Sequence, residues 1–208
     1  FEQVTAADPT QIIAVNQAVD SRTKGSLEEI APTTVKPNGY EDWQVPWEKQ
    51  VETIADAVGK EDEGDKLIDD TEKAFEEFRH EHAELQDKSA AIVMPYDGKI
   101  GLYTEEDGRG QFIEDLGMEI PDALQGDGGS FFVDIAPENY AKLNQVDYLF
   151  VLDYNGSSDA LKKDKTFQGL DIVKDDRVRY LDTDTGNAMS MPNPVTIPWA
   201  VDKFEEKL

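Results

Sequence analysis

The chain of 208 residues contains no cysteine. Disulfide bonds, thiolate nucleophiles and thiolate metal ligands are therefore excluded, although the cellular compartment stays open. Histidine is almost as scarce, since only His80 and His82 are present. Two positions apart in a predicted helix, their side chains point about 160° or more away from each other and cannot chelate one ion. We therefore predict no metal site.

Basic residues are also few: 20 Lys and Arg stand against 45 Asp and Glu, which gives a formal net charge of -25. A surface this acidic repels nucleic acids and anionic membranes, so neither is expected as a partner. No apolar run approaches the roughly 20 residues that span a bilayer, so no transmembrane segment is predicted in this chain. A signal peptide is not recognisable either. Because Phe1 directly precedes a helix and a strand that have no upstream partner, we expect the interior of a longer protein.

The composition is otherwise that of a globular protein, with 38% hydrophobic residues and enough length to bury a sizeable core. Two distant segments, 2–15 and 138–151, form an internal repeat of the same predicted elements. Each opens with a glutamate, Glu2 or Glu138, and runs through a short helical segment and a polar turn into an apolar strand. This repeat predicts two related α/β lobes. On spacing alone, a coincidence between two common helix-turn-strand units explains it equally well.

The longest helical pattern extends from about residue 63 to 86, with Leu67, Ile68, Phe75 and Phe78 on one stripe. A helix of roughly 35 Å is natural as a strut between two lobes. A surface helix lying on one sheet fits the same stripe. Apolar runs and glycine or proline boundaries predict further elements: strands at 12–15, 33–35, 90–94, 99–103, 148–152 and 178–181, and helices at 27–32, 47–58, 110–116, from 137 and at the end of the chain.

The order of these segments resembles that of the iron-siderophore substrate-binding proteins, the extracytoplasmic receptors of bacterial ABC importers. The matching segments are Leu27–Pro32, Trp47–Gly59, the long helix, Phe112–Gly117, Asp176–Asp182 and Met189–Asp202. Together they cover nearly the whole chain.

The resemblance implies an α/β fold of two lobes joined by one long helix, with the ligand in the cleft between them. Residues 1–60 would be the tail of the N-terminal lobe, 61–87 the connecting helix, and 88–208 a three-layer α/β/α C-terminal lobe. The implied function is capture of a ferric siderophore and its delivery to an ABC permease dimer. The protein would be no enzyme and would need no cofactor, since the ligand carries the Fe³⁺. The parent protein would work in the periplasm or as a lipoprotein anchored to the outer face of the cell membrane.

Two glutamates are candidates for docking to the permease. Glu2 and Glu138 match the positions where the family keeps one glutamate in each lobe for salt bridges with the permease. Two carboxylates on rigid helix starts can orient a two-fold partner by charge pairing. The alternative is that an acidic residue in the first helical turn only complements the helix dipole.

Aromatic residues and one arginine are candidates for the ligand cleft, because flat apolar walls and a guanidinium fork suit a siderophore. They are Trp43, Tyr96, Tyr103, Arg109, Phe132, Tyr154 and Met189. Taken singly, each aromatic residue is better explained as core. Ferric catecholates carry several negative charges and call for several basic residues, whereas the chain offers chiefly Arg109. A neutral or cationic ferric hydroxamate is therefore favoured.

Two alternatives remain open at this stage. A haem or corrinoid receptor of the same fold could use Met189, Met191 or Tyr103 as haem ligands. A fragment of a chelatase-like or nitrogenase-like α/β enzyme would share the architecture. Against an enzyme, the serines at 130, 157 and 190 have no plausible histidine partner, because both histidines lie on the long helix.

Overall fold

The computed structural model describes all residues from Phe1 to Leu208. The chain divides into two compact units, Phe1–Asp69 and Asp70–Leu208, called here the first and the second unit. Both combine helices with a sheet, so the predicted α/β class is confirmed. The division of the chain into lobes at residues 60 and 88 stays a prediction.

The first unit is built around a two-stranded parallel sheet. Its elements are α1 (Glu2–Ala6), β1 (Ile12–Ala14), α2 (Ser21–Glu28), β2 (Thr33–Val35) and α3 (Trp47–Val58). Strand β1 pairs with β2, with Ile12 opposite Thr33. The predicted helix at 27–32 is wrong, because helix α2 begins much earlier and ends at Glu28. The Asp20 carboxylate caps it by accepting the N–H of Thr23 at 2.6 Å.

Helix α3 ends as its sequence predicts, since Gly59 adopts the left-handed conformation at φ 67° and ψ 44°. The next helix, α4 (Glu61–Glu81), has 21 residues and is followed by a 3-10 turn at Ala83–Leu85. It begins close to α3, because a Cβ added at Gly64 would lie 2.5 Å from the Cβ of Ala55. The long helix is therefore confirmed, although it ends several residues earlier than predicted. None of the helices is both long enough and apolar enough to cross a membrane.

The second unit contains a mixed sheet of five strands in the order β5-β4-β3-β6-β7. The strands are β3 (Ala90–Tyr96), β4 (Lys99–Tyr103), β5 (Phe132–Ile135), β6 (Tyr148–Asp153) and β7 (Val178–Asp182). Strands β3, β6 and β7 run parallel, whereas β4 and β5 are antiparallel to their neighbours. The sequence did not predict β5, which forms one edge of the sheet.

Helices cover both faces of this sheet. They are α5 (Gly108–Asp115), α6 (Ser158–Leu161), α7 (Lys165–Gln168), α8 (Asp171–Lys174), α9 (Thr183–Ser190) and α10 (Thr196–Glu205), with 3-10 segments at Asp122–Leu124 and Pro137–Gln145. On one face Val93 and Val151 pack with Tyr140 and Phe167. On the other, the ring of Phe204 lies 4.5 Å from that of Phe150 and 6.1 Å from that of Phe112. The predicted three-layer α/β/α arrangement is confirmed.

One contact that fixes the end of α4 depends on pH. The ring of His82 contacts Glu205 of α10 through Nε2 at 2.9 Å and Glu84 through Nδ1 at 3.4 Å. Burial lowers the pKa of His82, but the hydrogen bonds and charges of the two glutamates outweigh it, so the pKa lies above its usual value. The cationic ring therefore stabilises the fold at acidic pH, and that stability is lost as the pH rises through the raised pKa.

We expect Glu205→Gln to lower the melting temperature at pH 6 and to have a smaller effect at pH 8.5, where His82 is neutral. Thermal unfolding followed by circular dichroism at both pH values measures this difference. The matched control is Glu206→Gln, which removes a neighbouring carboxylate paired with Lys203 instead. An equal loss at both pH values for Glu205→Gln would show that the histidine charge is not involved.

Candidate functional site

The candidate site lies on one face of the sheet, where the adjacent strands β3, β4 and β5 meet. Tyr103 stands opposite Phe132, and Gly101 stands opposite both Met94 and Asp134. Residues directly opposite each other in an antiparallel pair share one face, so these side chains lie together. Because Gly101 has no side chain, the ring of Phe132 lies directly over it, and a Cβ there would collide with that ring.

Aromatic rings continue across this face. The ring of Phe132 lies 5.3 Å from that of Tyr103 and 5.5 Å from that of Tyr96. The Tyr96 hydroxyl donates to Asp134, and Lys99 forms an ion pair with the same carboxylate. Three of the predicted cleft residues therefore form one contiguous apolar wall.

Arg109 lies against this wall at the start of helix α5. Its guanidinium carbon is 3.8 Å from the centroid of the Tyr103 ring. The Asp107 carboxylate caps the helix, accepting the Arg109 N–H at 2.9 Å, Nε at 2.9 Å and Nη2 at 3.5 Å. Arg109 Nη1 makes no hydrogen bond to the protein, so one edge of the guanidinium is free to donate.

The partner of Arg109 was missed by sequence reasoning. Asp107 is only 6% exposed, and its side chain both caps α5 and orients the guanidinium. Burial raises the pKa of the Asp107 carboxyl, and the charge of Arg109 opposes that rise. An aspartate directly before Gly108, Arg109 and Gly110 was the available signal, because aspartate is a preferred helix N-cap.

Tyr103 belongs to the aromatic wall, and its hydroxyl faces a neighbouring side chain. Burial raises its pKa to about 12, although the charge of Arg109 acts in the opposite direction. The hydroxyl therefore stays protonated at neutral pH, and it donates to Met94 Sδ at 3.6 Å. This hydroxyl is engaged inside the unit, which gives no support to its predicted alternative role as a haem ligand.

Tyr154 joins the site from the end of β6. Burial is the main cause that raises the pKa of Tyr154. The charge of Arg109 lowers this pKa and the charge of Asp107 raises it, which shows that both groups lie near the Tyr154 hydroxyl. Its hydroxyl lies beside Gly186 of α9, where an added Cβ would be 2.9 Å away. Helix α9 thus leaves room for this ring.

The two methionines after Tyr154 differ in position. Met189 is completely buried on α9, so its side chain has no surface for a ligand in this structure. Met191 is 51% exposed in the following loop. This loop lies next to the start of α5, because a Cβ at Gly108 would be 2.7 Å from Cδ of Pro192. Of the two methionines, Met191 is therefore the one exposed next to the start of α5.

Trp43, the remaining cleft candidate, belongs to the first unit. Its side chain is 43% exposed, and its backbone adopts φ 69°, which is rare for a bulky residue. The loop is held by the ion pair of Lys36 with Asp42 at 2.5 Å and by the Val45 N–H donating to Asn16 Oδ1 at 3.2 Å. An exposed aromatic residue held in a strained conformation is typical of binding sites.

Acidic residues dominate the loop before Arg109, where Glu105, Glu106 and Asp107 follow one another. A cavity of about 260 Å³ beside the loop that carries Asp107 is lined by the acidic residues Glu105, Glu106, Asp122 and Asp127. The other cation on this face, Lys99, is already paired with Asp134. The site therefore presents one available positive group in an acidic environment.

Both docking candidates are exposed. Glu2 lies in the first turn of α1, and Glu138 lies in the first turn of the 3-10 segment Pro137–Gln145. Neither carboxylate forms an ion pair, and Glu138 is not bonded to Lys142. Each is thus available to an external partner.

The sequence profile of the periplasmic binding protein family matches residues 1–185. This chain belongs to the periplasmic binding protein family. Among solved structures, it is similar to the iron uptake ABC transporter substrate-binding protein PiaA from Streptococcus pneumoniae, with 25% identity and a TM-score of 0.83, over 99% of this chain and 72% of that one. No curated protein matches the chain.

Two further structures share the fold of this periplasmic binding protein. One is PiaA from Streptococcus pneumoniae in complex with ferrichrome, at 24% identity and a TM-score of 0.83, over 99% of this chain and 70% of that one. The other is the FhuD protein from S. pseudintermedius, at 23% identity and a TM-score of 0.80, over 99% and 72%. The predicted resemblance to iron-siderophore substrate-binding proteins of ABC importers is confirmed. The enzyme alternative is wrong, because periplasmic binding proteins are not enzymes.

Proposed function

We propose that this periplasmic binding protein captures a ferric siderophore, with a hydroxamate complex preferred, and delivers it to an ABC permease. The observation that carries the proposal is the Arg109 guanidinium, stacked on Tyr103 with Nη1 free beside an aromatic wall. A guanidinium edge donates to negatively polarised oxygens, and hydroxamate oxygens around Fe³⁺ are of this kind. The likeness to PiaA, one structure of which holds ferrichrome, supports the same ligand class.

The proposed contact set follows the geometry of the second unit. Arg109 donates to the ligand, while Tyr96, Tyr103, Phe132 and Tyr154 form its wall. Met191 takes the place that the sequence assigned to Met189.

The charge of the site supports a hydroxamate over a catecholate. One unpaired guanidinium edge cannot neutralise several ligand charges, and the Asp107 carboxylate beside it adds repulsion. A neutral ferric hydroxamate avoids this cost. Desolvating an uncompensated anion at such a site is unfavourable.

We therefore expect a neutral ferric hydroxamate to bind at least about 10-fold more tightly than a ferric tris-catecholate, which corresponds to about 1.4 kcal/mol. Quenching of tryptophan fluorescence by the ferric complex measures both affinities, using the full-length protein. The iron-free siderophores are the control for quenching by the organic part. Tighter binding of the catecholate would overturn the hydroxamate preference, and quenching by haem alone would favour a haem receptor.

Delivery requires a partner and a location. The proposal puts the working protein outside the cytoplasmic membrane, in the periplasm or held by a lipid anchor. Glu2 and Glu138 are proposed as the permease contacts, since both are exposed, unpaired and carried on helix starts. Complementary charges at an interface mainly set orientation and association rate.

A further inference from the structure

A second cavity of about 260 Å³ lies in the second unit. We call it the Tyr140 pocket; its lining includes Pro95, Asp97, Tyr140, Leu161 and Asp164. Tyr140 and Leu161 belong to the core on the Val93 face of the sheet, whereas Arg109 stacks on Tyr103 of the opposite face. Tyr96 and Lys99 also line the pocket, so it borders the aromatic wall at Tyr96, whereas Arg109 and Tyr103 do not line it.

The hydroxyl of Tyr140 has no partner in the protein. The residue is 2% exposed, and its ring is fixed edge-to-face against Phe167 at 6.2 Å. No hydrogen bond to the hydroxyl is present, although the group borders the cavity. The hydroxyl oxygen is open to the cavity, so an occupant can accept a hydrogen bond from this group or donate one to it.

The charge around this hydroxyl is negative. Burial raises the pKa of Tyr140, and the charge of Asp164 raises it further, as expected for neighbouring groups. One oxygen of Asp164, Oδ1, accepts the N–H groups of Thr166 and Phe167, and Oδ2 has no such bond. Asp97 adds a second carboxylate at the rim, and the ammonium of Lys99 is paired with Asp134.

The lining and the volume of the Tyr140 pocket restrict the chemistry and the size of a ligand that it can bind. Pro95, Ala160 and Leu161 provide apolar surface. Pockets for drug-sized ligands measure about 300–1,000 Å³, so about 260 Å³ suits a smaller molecule.

We propose that the Tyr140 pocket binds a small organic cation: a guanidinium or primary ammonium group on a short aliphatic stem. The cationic group donates to Asp164 Oδ2 and to the Tyr140 hydroxyl oxygen, and the stem packs on Pro95 and Leu161. The same chemistry can arrive as a free molecule or as an arginine side chain of a partner protein. This site does not depend on the siderophore function, because neither Arg109 nor Tyr103 lines it.

The probe is n-butylguanidinium, and its neutral isostere n-butylurea is the matched ligand control. Titration of the ¹⁵N-labelled protein, followed by NMR, should give a dissociation constant of about 1 mM for the cation. Changes in amide chemical shift should be confined to residues 95–99, 140 and 157–164. The control n-butylurea should bind at least about 10-fold more weakly than the cation. A capped Gly-Arg-Gly peptide forms the second arm: tighter binding than the free cation assigns the pocket to a partner's arginine, and weaker binding to a free molecule.

Two variants test the named groups. Asp164→Asn keeps the helix cap, since asparagine caps as well as aspartate, and should weaken binding at least about 10-fold. Tyr140→Phe keeps the ring contact with Phe167 and should weaken binding about 5-fold. Tyr148→Phe and Asp127→Asn, which remove the same groups elsewhere, should leave it unchanged. Equal binding of n-butylurea, unchanged affinity in Asp164→Asn, or no shift at these residues up to 20-fold the expected dissociation constant would overturn the proposal.

Discussion

Replacing Arg109 with alanine is expected to weaken binding of a neutral ferric hydroxamate by about 10- to 100-fold, because a hydrogen bond from a charged donor contributes about 1.5–3 kcal/mol. The guanidinium is positioned before the ligand arrives, by Asp107 on one edge and the Tyr103 ring on its face. Little conformational entropy is then lost when Nη1 meets the ligand. Tryptophan quenching with the full-length protein measures the change.

Arg109→Lys is the informative second variant, since it keeps the positive charge and loses the planar set of guanidinium donors. We expect an affinity between those of the wild type and Arg109→Ala, because a lysine cannot bond Asp107 and the ligand in the same geometry. Arg22→Ala deletes an exposed arginine of α2 and serves as the matched control. Removing Arg109 also leaves Asp107 buried without its cation, so each variant is first tested for a native circular dichroism spectrum. Full affinity in a folded Arg109→Ala would exclude the arginine from the site.

Elements with a clear local signal could be predicted from the sequence. Helix α3 has an apolar stripe and a terminal glycine, and strand β4 has the predicted bounds, 99–103. In both cases the local pattern agrees with the packing that the fold requires. The family resemblance added the order of the elements, which no single segment specifies.

Other elements depend on tertiary contacts that the sequence does not display. Helices α6, α7 and α8 have four residues each, which is too short for a periodic stripe. Strand β5 also has four residues, at the edge of the sheet beside β4. Helix α9 has few strong helix formers and starts from the Asp182 cap, which accepts the N–H of Thr185 at 2.9 Å.

The candidate site also depends on tertiary contacts that the sequence does not display. Arg109 between two glycines was recognisable, but its fixed orientation comes from Asp107 and Tyr103. Met189 was assigned to the cleft because a loop was expected there. The continuation of α9 to Ser190 instead turns Met189 inward and leaves Met191 exposed. A difference of two residues in one helix end thus decides which methionine can meet a ligand.

The double variant Glu2→Lys/Glu138→Lys is expected to abolish uptake of the ferric siderophore while ligand affinity stays within about two-fold of wild type. Each exposed carboxylate would lose its attraction to a permease arginine and gain repulsion, and close interfacial charge pairs couple by about 1.5–7 kcal/mol. Single alanine variants should impair uptake less, since they remove attraction without adding repulsion. Uptake of ⁵⁵Fe-labelled siderophore, in cells that carry the cognate permease and lack their own receptor, measures the effect.

The matched control is Glu72→Lys/Glu77→Lys, which makes the same change in net charge at exposed positions of α4. If general acidity guided the receptor to the permease, both double variants would lose transport equally. If docking depends on the two helix starts, only the first loses it. In Glu2→Lys/Glu138→Lys, the salt dependence of receptor-permease association should also fall, because ions screen exposed charge pairs and this variant no longer has them. Undiminished transport by Glu2→Lys/Glu138→Lys would show that the two glutamates only complement helix dipoles. The repeat would then reflect the shared architecture and not a docking role.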